Sequence, residues 1–124
     1  KRWEKYKWPY AVDKKGERID MRKIPPMEEN THDLHYACEL KDGYLRLFNR
    51  KENLGIKLTF DKEIFKAVWL WLVYGGWRGL YLVGIEVWTG YPVKLSDAVR
   101  YGEYAQLEPN GILETDIKME VYYE

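Results

Sequence analysis

Residues 65–92 read FKAVWLWLVYGGWRGLYLVGIEVWTGYP, and the reading of this stretch decides the fold. Two apolar runs, 67–74 and 79–88, rich in β-branched and aromatic residues, flank Gly75-Gly76-Trp77-Arg78. Glycines take positive φ readily and reverse the chain, so the pattern predicts a β-hairpin. A membrane helix of similar length would carry Gly-Gly, Arg78 and Glu86 inside the hydrocarbon, which is costly. Both runs are apolar on both faces. That places the hairpin centrally, covered on two sides.

Glu86 is the anomaly in this hairpin, with Ile85, Val87 and Trp88 as neighbours. A lone buried carboxylate is costly unless it is paired or protonated, so such a residue usually has a role. Strand alternation puts Leu82, Gly84, Glu86 and Trp88 on one face. With residues 75–78 as the loop, Tyr74 faces Gly79, Trp71 faces Leu82 and Trp69 faces Gly84. Trp69 and Trp71 then share a face with Glu86 and Trp88, and Gly84 leaves room beside them. A carboxylate ringed by indoles with a gap next to it is what a sugar site needs. The alternative is a strand-end glutamate bonded to nearby backbone or to Arg78. A slip of one residue would turn the tryptophans to the other face.

The whole chain sets the bounds. At 124 residues it is expected to be a single domain, with an irregular basic arm over residues 1–27 and a β-sandwich over 34–124. Lys+Arg and Asp+Glu are both 20, which argues against a general electrostatic hold on nucleic acid or anionic membrane. Residues 1–23 hold nine Lys/Arg against four Asp/Glu, and residues 101–124 hold six Asp/Glu against Lys118 alone. Two mutually attractive, solvated ends are the reading of that asymmetry. Cys38 is the one cysteine, so neither an intrachain disulfide nor a thiolate metal cluster is expected. With no signal-like or spanning segment, a cytoplasmic location is the default expectation.

Along the chain, the arm carries Trp3, Tyr6, Trp8, Pro9 and Tyr10 as aromatic anchors, with a turn at Asp13-Lys14-Lys15-Gly16. Interleaved Lys and Trp could serve single-stranded nucleic acid, but no alternating strand supports such a platform, so an arm covering the sheet is preferred. His32 and His35 are three apart, a spacing that on a strand sends their rings to opposite sides; no metal site is expected from them. One of the two is a candidate catalytic group, because imidazole titrates near neutrality. Residues 34–40, 44–49 and 54–60 predict strands, with a turn at Asp42-Gly43. Ser96 is the expected N-cap of one or two helical turns, 103–108 a short strand, and 113–123 a last strand. In that strand Ile117, Met119 and Val121 belong to the core face and Lys118 and Glu120 to water. About seven strands and little helix give an all-β protein, an antiparallel β-sandwich. No phosphate loop, nucleophile signature or zinc spacing is present, and no cofactor is expected.

The run from Leu54-Gly55-Ile56 through Phe60-Asp61, then WLWLVYGGWRGLYLVGIEVWTGYP, then LSDAVRYGEYAQLEPNGILET, resembles the aldose 1-epimerase (galactose mutarotase-like) superfamily, in its uncharacterised prokaryotic branch. The resemblance covers roughly residues 8–124. It implies part of a β-supersandwich, in which Glu86 is the catalytic base that takes the anomeric proton. His32 is the corresponding acid at the ring oxygen, with Thr31 standing where the family often has an aspartate. Trp69, Trp71 and Trp88 would bind the sugar, with Arg78 beside them. The family fold is longer than this chain, which implies a C-terminal portion completed by an N-terminal half or by a second copy. The competing expectation is a carbohydrate-binding sandwich without catalysis.

Overall fold

A computed structural model describes residues 4–124, so Trp3 lies outside the described residues. The protein is all-β and sandwich-like, with 40% strand, 8% helix and three antiparallel sheets. Its elements are β1 (Tyr10–Val12), β2 (Arg18–Asp20), a 3-10 turn (Met27–Glu29), β3 (Thr31–Ala37), β4 (Tyr44–Asn49), β5 (Leu54–Phe60), β6 (Ala67–Tyr74), β7 (Tyr81–Trp88), α1 (Leu95–Tyr101) and β8 (Ile117–Tyr122). The chain divides into two compact units, one of Lys1–His32 with Val73–Tyr81, the other of Asp33–Leu72 with Leu82–Glu124.

The first unit corrects the expectation of an irregular arm. Residues 10–20 form a hairpin in which Tyr10 pairs with Asp20, Ala11 with Ile19 and Val12 with Arg18. The turn falls where the sequence put it. Asp13 Oδ1 accepts the backbone N–H groups of Lys15 and Glu17, both at 2.8 Å, and Gly16 takes the left-handed conformation. Arg18 lies 3.6 Å over the Tyr10 ring, a cross-strand neighbour that braces a three-residue pair.

The reversal between β6 and β7 is one residue later than the sequence reading placed it. Gly75 N–H donates to the Leu80 carbonyl at 2.8 Å, and Arg78 and Gly79 adopt positive φ of 52° and 64°. The loop is therefore 76–79, and facing residues across the hairpin move by two positions. Trp71 stands opposite Gly84, whose missing Cβ would lie 3.2 Å from the Trp71 Cβ. An even shift preserves the faces, so Trp69, Trp71, Gly84, Glu86 and Trp88 still share one side.

In the sheet ordered β3-β6-β7, only β6 is central. It is buried at six of eight positions, whereas β7 is an edge strand with none buried. The expectation that both runs are covered on two sides holds for β6 and fails for β7. An apolar run does not announce which of two paired strands receives a further neighbour.

The second sheet, β4-β5-β8, lies wholly in the second unit. β4 and β5 occupy the predicted residues, with Leu45 opposite Leu58 and Leu47 opposite Ile56. Leu58 and Phe60 are core, at 7% exposure each. Phe48 and Tyr122 stack, centroids 5.8 Å apart, over the space left by Gly55. β8 differs from expectation. It is shorter than 113–123, and the row expected in the core is solvent-facing: Ile117 is 47%, Met119 66% and Val121 61% exposed. The pairings Phe60–Ile117, Leu58–Met119 and Ile56–Val121 set this row on the face of the buried β5 residues, but at the flank of the sheet. Alternation gave the face correctly and its cover wrongly.

Two smaller corrections follow. Residues 103–108 form no strand, although Tyr91 N–H donates to the Glu103 carbonyl at 3.0 Å. The N-cap of α1 is Lys94 rather than Ser96, with no side-chain cap, and Gly102 closes the helix at φ 74°. Among the described residues no helix is long and apolar enough to cross a membrane.

Candidate functional site

The expected cluster of indoles and carboxylate is assembled in the second unit, on the shared face of β6 and β7. Trp69, on the central strand, is 7% exposed, while Trp88, at the end of the edge strand, is 42% exposed. Their rings stack with centroids 4.3 Å apart at 19°. Such a pair arises because diagonal neighbours on adjacent strands are within reach of large rings. The inner indole is fixed by its Nε1–H, which donates to the Gly90 carbonyl at 3.1 Å. Gly90 is itself packed against the Glu103 backbone, whose carbonyl a Cβ there would strike.

Glu86 is half-buried rather than sealed. Two residues along the same strand face, the Trp88 Nε1–H donates to its Oε2 at 2.8 Å. The carboxylate is thus held in one orientation while keeping contact with solvent, which removes most of the cost of a lone buried charge. Oε1 lies 3.5 Å from where a Gly84 Cβ would stand, and among the described residues it has no hydrogen-bond partner. The gap at Gly84 is therefore shared between the Trp71 stem and this oxygen. Glu86 Oε1 and the outer face of Trp88 are the chemically open parts of the cluster.

Behind them is an aromatic support that the sequence reading did not single out. Tyr36 of β3 meets Trp69 edge-on at 5.2 Å and 76°, and stacks on Tyr91 at 6.0 Å. The Tyr36 hydroxyl accepts the Val93 N–H at 3.3 Å. Burial pushes the Tyr91 phenol above its ordinary range, and the neighbouring Cys38 thiol and Glu103 carboxyl add to the shift. Tyr91 stays neutral and packs against Tyr36. The available signal was the alternation Leu34-Tyr36, which puts Tyr36 on one face of β3.

No protein-family model, curated protein or solved structure matches this chain. The function must be read from the site itself.

The remaining sequence-predicted residues are placed as follows. Arg78 sits in the hairpin reversal of the first unit, its guanidinium 4.6 Å over the Trp77 ring. His32 is exposed near the start of β3, also in the first unit, so neither unit holds both His32 and Glu86. His35, on the opposite side of β3 from His32, lies 3.3 Å from the Asp33 carboxylate. Trp71 is half-buried beside Gly84. Among the described residues no three His, Cys, Asp or Glu side chains converge as a metal site would require. An open apolar hollow of about 250 Å³, lined by Leu47, Asn49, Leu54, Gly55, Ile56 and Val121, lies on the other sheet and offers no acid or base.

Proposed function

We propose that the open face of Trp88 with Glu86 is a carbohydrate-binding surface. Supporting this is one observation: an exposed indole backed by a buried one, donating to a carboxylate that keeps one oxygen open. The C–H face of a pyranose lies against an indole with favourable dispersion, and a carboxylate oxygen accepts from its hydroxyls. Trp69 acts as the backing of the platform, and Trp71 bounds it at Gly84. The test is calorimetric titration with D-galactose and D-glucose, followed by intrinsic fluorescence. Trp88→Ala should remove binding with the fold retained; binding unchanged in that variant would exclude the surface.

The open Oε1 also favours a second reading, anomer interconversion of the aldose 1-epimerase type. In that reaction the glutamate takes the proton of the anomeric hydroxyl as the bond from the anomeric carbon to the ring oxygen breaks. An acid protonates the ring oxygen, and reclosure on the other side gives the second anomer. Glu86 is the base in this reading. Glu86→Gln keeps the shape and loses the basicity, so polarimetry of mutarotation should fall at least about a hundredfold while affinity changes much less. An unaltered rate would leave binding alone.

A further inference from the structure

Among the described residues, strand β8 ends its sheet without a neighbour on its outer side. Among the described residues no backbone hydrogen bond joins residues 112–123 to anything except β5. Its register with β5 is continuous from Gly55–Tyr122 to Phe60–Ile117, so no bulge twists the edge away. It contains no proline, and its side chains are open on both faces: Lys118 is 69% exposed on one, Met119 66% and Val121 61% on the other. A flat six-residue edge of this kind is a template for another strand.

We propose that β8 pairs antiparallel with β8 of a second copy of this chain, about a two-fold axis through Met119. The charges select both the partner and the register. With the axis at Met119, Lys118 faces Glu120 of the partner, and Glu120 faces Lys118 of the partner. Moving the axis to residue 118 sets lysine against lysine and Asp116 against Glu120. Moving it to residue 120 sets glutamate against glutamate. Directly opposed like charges destabilise a strand pair and opposite charges stabilise it, so of these three registers the one centred on Met119 is favoured, and it is also the one with two Lys–Glu pairs inside β8.

On the other face the same register lays Ile117 against Val121 of the partner and Met119 against its counterpart. An axis perpendicular to the sheet keeps each face on its own side. The product is one six-stranded sheet, ordered β4-β5-β8-β8-β5-β4, with a continuous apolar row across the seam. Glu120 already lies opposite Lys57 of β5 within its own chain, so pairing extends an alternating row of charges.

Sedimentation of the 14.9 kDa chain at micromolar concentration should give a species of twice that mass. Lys118→Glu alone and Glu120→Lys alone should each weaken self-association about tenfold or more. An equimolar mixture of the two variants should dimerise again, because each then meets the opposite charge on the other. Circular dichroism checks that both remain folded. Independently, Met119→Cys in a Cys38→Ser background should form an interchain disulfide under mild oxidation, since facing strand residues lie within disulfide range. Lys118→Cys should cross-link far less. A monomer at all concentrations, a mixture no tighter than the single variants, or cross-linking equal at 118 and 119 would each overturn the proposal.

Discussion

Glu86 shows how a charged residue is accommodated in an apolar run without being buried. Its strand lies at a sheet edge, and the indole two residues on supplies a donor at 2.8 Å. Thr59 presents the opposite case, a hydroxyl that is buried and has no partner among the described residues. Thr59→Val keeps the shape and removes the unsatisfied group. Its denaturation midpoint should stay level or rise, by up to about 1 kcal/mol; a loss of that size would mean the hydroxyl is bonded. Asp20 concerns pH. The Arg22 guanidinium bonds its carboxyl and holds it at about 2, against 3.8 for the free group. A depressed folded value adds stability above pH 3.8, and that contribution is lost as pH falls toward 2. The Arg22 partner is exposed to solvent, so the effect is small in magnitude. Asp20→Asn should flatten the acid side of the stability curve in that window, and an identical curve would show that the pair contributes nothing.

Among the elements, β5 is held on one face by a cover over a glycine. The Phe48 and Tyr122 rings occupy the space a side chain at Gly55 would need, with Phe48 at 2.8 Å from the Cβ position. Gly55→Ala should cost about 1–3 kcal/mol in chemical denaturation, because two stacked rings must shift. Adding Tyr122→Leu should recover part of that loss. Two independent, additive costs would show that the rings do not crowd this site. The β6–β7 reversal carries a similar constraint in the first unit, where Gly76 lies against the Thr31 backbone and donates to its carbonyl at 3.1 Å. The sequence marked both places as glycines in strand or turn settings, without revealing what approaches them.

Over the whole molecule, the striped edge of β8 and the open row Ile117, Met119, Val121 leave apolar surface in contact with water. Pairing through the β8 edge sets two such rows side by side on one open face, so an exposed-surface dye should still bind at concentrations where the chain is dimeric; loss of that signal on dimerisation would mean that the faces, not the edges, meet. The sequence alone determined the all-β class, β4 and β5 to the residue, and the common face of Trp69, Trp71, Glu86 and Trp88. All three follow from side-chain period and turn chemistry, which are local. A misplaced loop did not disturb that face, because an even shift of register preserves it. Tertiary structure alone decided that β6 is central and β7 an edge, that Trp69 is the backing and Trp88 the open ring, and that the apolar face of β8 meets solvent. Alternation says which side chains point together, but burial depends on which distant strand arrives next to them, and no residue of the strand itself encodes that arrival.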